Sequence, residues 1–122
     1  MYAGEKQKRW KKMIQDDLDK IEKMLMRSAA VKESDKAELL DLLITLRKEI
    51  DDLSQTHYEH AESIVGFARL SAHEAVRREK NTALLSLSIE GLTSSVEGFE
   101  ISHPKLTEIV NKLCTMISNL GI

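Results

Sequence analysis

Residues 39–71 read LLDLLITLRKEIDDLSQTHYEHAESIVGFARLS, and this stretch carries the strongest structural pattern in the chain. Steps of four and three from its first leucine reach large apolar side chains at seven of ten positions, which is an unbroken heptad register. The register consists of Leu39, Leu43, Leu46, Ile50, Leu53, His57, His60, Ile64, Phe67 and Ser71. Such spacing is typical of a helix packed lengthwise on another helix. We therefore expect the first nine of these residues to form a helix–helix interface.

Composition favours an all-α protein with a single domain, residues 1–122. Charged residues make up 31% of the chain and aromatic residues 4%, and proline occurs once. Strong helix formers dominate, and the alternating runs typical of strands are missing. The net charge of −2 gives no general attraction to nucleic acid or anionic membrane, so neither nucleic-acid binding nor membrane insertion is expected.

The chain shows features of a cytoplasmic protein. Its single cysteine, Cys114, cannot form an internal disulfide, which suits a reducing compartment. No apolar run approaches the roughly 20 residues that a membrane span needs, and the charged N-terminus does not resemble a signal peptide. Cys114 falls on the apolar side of the last predicted helix, where a buried structural thiol is expected rather than a nucleophile.

Three helical parts are predicted: an N-terminal helix in residues 1–33, a long central helix in residues 34–80, and a C-terminal helical hairpin in residues 81–122. A continuous central helix would be roughly 65–70 Å long, whereas a compact domain of this size has a radius of gyration of about 14 Å. Ser54–Thr56 is the weakest helical segment and could break the helix, but the intact heptad favours continuity. The sequence thus predicts an elongated helical bundle with a coiled-coil-like central helix.

A homodimer follows from the apparent shortage of partners for this central helix. Each shorter helix has one apolar stripe, while the central helix has more than one after His60, through Ala61–Ala75 and through Ile64 and Phe67. A second copy, running antiparallel, would cover the surplus. We expect such a dimer to dissociate only with loss of helix.

Two neighbouring histidines, His57 and His60, are the chemical oddity of the heptad. They share a helix face, and a two-fold axis could bring four imidazoles to a zinc ion. A polar layer that sets the register of the helices is the favoured interpretation, so no metal or other cofactor is expected.

A basic segment surrounds Trp10 near the N-terminus. With Glu5 it carries a net charge of +4, from Lys6, Lys8, Arg9, Lys11 and Lys12. It could contact phosphates or an anionic membrane surface. The favoured interpretation is a solvated first part of the helix, with Trp10 in the core.

Small residues repeat at Ser88, Gly91, Ser95 and Gly98, beside the apolar stripe of the third predicted helix. A face for close helix packing and a solvated polar face explain this repeat equally well. After it, His103 precedes Pro104, and we expect His103 to cap a helix or to bond across the turn. Gly121 is placed to end the last helix.

Several stretches resemble a known family. They are FARLSAHE at residues 67–74, GFEISHPKL at 98–106 and ISNLGI at 117–122. The chain from about Ile64 to Ile122 resembles the bacterial domain-of-unknown-function family 4404, and the first helices match it only in pattern. The resemblance implies a bacterial source and a helical fold, with no activity, cofactor or catalytic residue to carry over.

The functional prediction is a homo-oligomeric structural or protein-interaction module without catalytic activity. Its expected partner is a second copy of the chain, or another protein. One alternative is a regulatory module that binds nucleic acid or anionic membrane through the basic N-terminal segment. The second alternative is a metal-binding helical bundle that uses His57 and His60.

Overall fold

The computed structural model describes residues 2–120, and it describes their side chains from residue 8 onward. Four helices make up this part of the chain: α1 (Tyr2–Arg27), α2 (Glu33–Val76), α3 (Thr82–Ser95) and α4 (Pro104–Leu120). No strand occurs among the described residues, which confirms the all-α prediction. Gly121, predicted to end the last helix, lies outside the described residues.

The long helix α2 is not straight, because His57 leaves helical geometry with φ −137° and ψ 55°. We name its two halves α2a (33–56) and α2b (58–76). Lys11 pairs with Asp51 at 3.1 Å, and Asp19 pairs with Arg47 at 2.5 Å, so α1 and α2a run antiparallel.

The second half of α2 runs the other way, parallel to α1. Trp10 packs edge-on against Tyr58, and Asp17 pairs with Arg69 at 3.2 Å. Residues advance together along α1 and α2b, so the chain must fold back at His57.

The predicted continuous, elongated helix is therefore wrong. The reversal comes directly after the weak Ser54–Thr56 segment. There, Ser54 Oγ and Gln55 Nε2 both donate hydrogen bonds to the Asp51 carbonyl, at 2.7 and 3.3 Å, and such side-chain bonds compete with helical backbone bonding. Folding back also lets one helix, α1, cover apolar faces of both halves.

The remaining helices complete an up-and-down bundle of five segments. The Phe67 ring of α2b lies over Gly91 of α3, and α4 runs antiparallel to α2a, from His103 beside Asp52 to Leu120 beside Lys32. Thr93 of α3 meets Cys114 of α4. The buried side chains of all four helices form one connected core.

The predicted interface residues are distributed differently from the heptad. Six of the nine lie in the core of a single chain, namely Leu39, Leu43, Leu46, Ile50, Leu53 and Ile64. His57 and His60 are exposed, and so is Phe67. The reversal turns a new face of α2b inward, so Ala61, Ala68 and Ala72 are buried where the heptad would place His60 and Phe67.

This arrangement removes the reason for placing a second copy on the heptad. One chain supplies enough helices to cover both halves of α2, through α1, α3 and α4. A dimer would therefore need a different surface, and its dissociation would leave the helices intact.

Small residues around α3 serve two purposes. Ser88 is buried, and a Cβ at Gly91 would overlap the Phe67 ring, so this part of the repeat is a close-packing face. Gly98 lies beyond the helix in a turn with φ 93°, a conformation that favours glycine. Asn81 caps α3 by accepting a hydrogen bond from the Leu84 amide at 3.0 Å.

Of the helices described over residues 2–120, none combines the length and the apolar character that a membrane crossing requires.

Candidate functional site

A groove of about 660 Å³ lies between α1 and α2b. Its volume falls in the range typical of ligand pockets. Eight residues line it: Lys20, Lys23, Met24, Arg27, Gly66, Arg69, Leu70 and His73.

The floor of the groove is apolar. Met24 of α1 is half-buried, and Leu70 of α2b is exposed to the groove that it lines. Gly66 leaves further space, because a Cβ built there meets no atom within 4 Å. The two parallel helices thus leave a gap with apolar side chains at its base.

The rim of the groove is basic. Lys20, Lys23 and Arg27 stand on α1, and Arg69 and His73 stand on α2b, while none of the eight lining residues is acidic. Asp17 partly neutralises one end, at 3.2 Å from Arg69 and 3.9 Å from Lys20. The groove therefore combines an apolar base with excess positive charge.

A buried carboxylate, Glu74, anchors the His73 end of the rim. Its side chain is 4% exposed and accepts hydrogen bonds from Arg77 Nη1 at 2.7 Å and from His73 Nδ1 at 3.1 Å. The hydrogen bond from Arg77 chiefly lowers the pKa of Glu74, the bond from His73 adds to this, and burial opposes both. Glu74 thus holds Arg77 and His73 in place.

An apolar patch covers the outer surface of α3 and the adjacent edge of α2b. We name it the α3 patch and define it by Phe67, Leu84 and Leu87, which are 38%, 42% and 61% exposed. Leu87 and Leu84 precede Gly91 by one and two helical turns, and Phe67 lies over Gly91, so the three side chains share one face. Exposed apolar patches of this kind often mark interaction sites.

A third feature, a histidine cluster, forms where α2 reverses. The rings of His57, His60 and His103 lie 5.6, 5.3 and 5.6 Å from the ring of Phe99, measured between centroids. The sequence predicted the pair His57 and His60 but missed His103, because the packing of α4 against α2a brings the start of α4 to this point.

The position of Phe99 bears on whether the histidine cluster can bind a metal ion. It lies against all three imidazoles and has no metal-ligating atom. Among the residues whose side chains are described, no group of three His, Cys, Asp or Glu has an arrangement that could hold a metal ion. His103 bonds across the turn through its backbone, since its amide donates to the Phe99 carbonyl at 2.7 Å, and its Nδ1 lies 2.9 Å from Ser102 Oγ.

The basic N-terminal segment is only partly free. Lys8, Arg9 and Lys12 are exposed, whereas Lys11 pairs with Asp51. Trp10 is half-buried against Tyr58 rather than fully in the core. The side chains of Glu5 and Lys6, which belong to the same predicted segment, lie outside the described ones.

Cys114 is a buried thiol, as predicted. Burial raises its pKa, and the contact with the Thr93 hydroxyl, 3.5 Å from Sγ, opposes this shift. A raised pKa keeps the thiol protonated and weakly nucleophilic.

Comparison with known proteins finds a similarity in the C-terminal part of the chain. Residues 67–122 match the family model "Domain of unknown function (DUF4404)", which confirms the resemblance noted in the sequence. The matched residues begin at Phe67 in α2b and include α3 and α4. No curated protein and no solved structure matches the chain.

Proposed function

We propose that the protein is a homodimeric helical module for protein–protein interaction, without catalytic activity. The observation that supports this is the α3 patch, which leaves three large apolar side chains exposed on one face. Full burial of such a side chain contributes about 1.5–3 kcal/mol to the free energy of association. In a two-fold interface each side chain is present in both copies, so its contribution is made twice.

A second copy suits this patch because the patch is poor in charge. Charged groups close to a two-fold axis approach their own copies, so like charges would repel there. Helix α3 carries one charged residue, Glu90, in its 14 residues. The α3 patches of two copies can therefore meet with little electrostatic repulsion.

The proposal includes the absence of catalytic activity. Two observations support it: the Cys114 thiol is protonated, and Phe99 lies among the imidazoles of the histidine cluster. The single thiol also supports a reducing, cytoplasmic location, and the family resemblance supports a bacterial source. Neither nucleic acid nor membrane is a proposed partner.

Light scattering coupled to size-exclusion chromatography tests the dimer. We expect a particle of twice the chain mass of 13.8 kDa at micromolar concentration. Leu87→Glu should give a particle of one chain mass with an unchanged helical circular dichroism spectrum, because it places charge in the interface of an independently folded bundle.

Ile44→Glu is the matched control. Ile44 is 51% exposed on α2a, outside the α3 patch, and its substitution should leave the dimer intact. A wild-type particle of one chain mass would overturn the proposal. Equal dissociation by both variants would overturn the assignment to the α3 patch.

A further inference from the structure

We propose that the groove between α1 and α2b binds an amphipathic helix of another protein, one with Asp and Glu flanking an apolar stripe. This second binding surface is independent of the proposed dimer, because none of the residues that define the α3 patch lines the groove.

The shape of the groove favours a helix as its occupant. Two parallel helices form its walls, and Met24 and Leu70 provide apolar contacts at its base. Gly66 has no side chain, and the space around it is open, so a third helix can approach the backbone of α2b closely. Helix-in-groove recognition uses this combination of an apolar base and apolar anchors at helical spacing.

The distribution of charge favours an acidic helix over a single anionic headgroup. The basic residues of α1 extend from Lys20 to Arg27, which is about 10 Å along the helix axis. Arg69 extends the positive rim along the opposite wall. One carboxylate or phosphate at the end of a lipid would neutralise one end only, whereas carboxylates repeating along a helix can meet the whole row.

The positive charge of the groove is not uniform along its length. Asp17 lies beside Arg69 and Lys20, so this end already has a carboxylate. Lys23 and Arg27 stand farther along α1, away from Asp17. Acidic residues of the bound helix should therefore contribute most near Arg27.

Fluorescence anisotropy with synthetic peptides tests the proposal. The probe is a labelled amphipathic helix of about 18 residues, or five turns, with a leucine stripe flanked by glutamates. A matched peptide has lysine in place of each glutamate. The protein variants are Arg27→Glu, which reverses rim charge, and Gly66→Leu, which fills the groove where a Cβ meets no atom.

Lys48→Glu is the matched control, since Lys48 is exposed on α2a away from the groove and its substitution changes the net charge equally. Leu87→Glu separates the two surfaces, because it should disrupt the dimer and leave peptide binding unchanged. Circular dichroism of every variant checks that the bundle is folded.

We expect the wild type and Lys48→Glu to bind the glutamate peptide with equal affinity and not to bind the lysine peptide. Arg27→Glu and Gly66→Leu should each weaken binding by about tenfold or more, and added salt should weaken wild-type binding. Three results would each overturn the proposal: no binding of the glutamate peptide, equal binding of both peptides, or undiminished binding by Arg27→Glu. Binding to phosphatidylglycerol vesicles in place of the peptide would also overturn it.

Discussion

The two halves of α2 follow one heptad register, yet they pack in different ways. In α2a the heptad leucines and isoleucine are buried in the core. In α2b the buried residues are mostly small. Two large apolar residues of this half, Phe67 and Leu70, are exposed. The difference shows that heptad spacing indicates the inward face only up to the point where the chain reverses.

Small buried residues have a consequence for the surface of α2b. Alanines and Ser71 allow neighbouring helices to approach closely on the inner side, while Phe67 and Leu70 remain on the outer side. Both proposed binding surfaces use this outer side, Leu70 in the groove and Phe67 in the α3 patch. Stability should therefore depend mainly on α2a, and binding mainly on α2b.

The largest effect is expected from removing a buried leucine of α2a. Leu46→Ala leaves a cavity in the core and should lower the free energy of unfolding by about 2–5 kcal/mol, measured by urea denaturation. Leu40→Ala on the exposed side of the same half is the control and should cost far less. Equal losses for the two variants would contradict the packing described for α2a.

In α2b, enlarging a small buried residue should lower the stability of the protein. Ala72 is fully buried, so Ala72→Leu forces side chains or helices apart and should cost about 1–3 kcal/mol in the same denaturation measurement. The exposed Ala37 of α2a should accept leucine with little change. A variant Ala72→Leu as stable as the wild type would show that α2b is loosely packed.

A smaller effect, with a change of sign, is expected at Gly91. Alanine normally stabilises a helix relative to glycine by about 1 kcal/mol, but here its Cβ would overlap the Phe67 ring and displace it. Gly91→Ala should therefore destabilise the wild type and stabilise the Phe67→Ala variant. Thermal denaturation of the four proteins of this double-mutant cycle measures the coupling, and additive effects would rule out the contact.

The smallest effect concerns the pH dependence of stability through Glu74. Because the folded state lowers the pKa of Glu74, this carboxylate stabilises the protein above its ordinary pKa of about 4.5. That stabilisation is lost as the pH falls through the lower folded-state value. Urea denaturation between neutral and acidic pH should thus show a shallower acid loss for Glu74→Gln than for the wild type. Exposed Glu90 provides the control, and an identical profile for wild type and Glu74→Gln would contradict the assigned role.

Much of the fold could be predicted from local sequence. The helical composition, the apolar stripe of α2a, the buried Cys114 and the family resemblance of the C-terminal part all depend on residue types and on spacings within one segment. Spacing within a segment is a local property, because a helix places its residues on definite faces whatever packs against it.

The candidate site could not be predicted in this way. The groove joins residues of α1 to residues of α2b at least 39 positions later, and the histidine cluster joins His57 to His103. The groove follows from the reversal at His57, which places α2b beside α1, and the histidine cluster also needs the packing of α4 against α2a.

Residue types and their spacing are enough to predict amphipathic helices and the apolar face of α2a. The packing of the helices was needed to establish that α2 folds back, that one chain covers its own heptad, and that a basic groove opens beside Gly66. The physical reason is that an apolar stripe requires burial but does not specify its cover. The choice between a second copy and the chain's own α1, α3 and α4 depends on contacts between residues far apart in sequence.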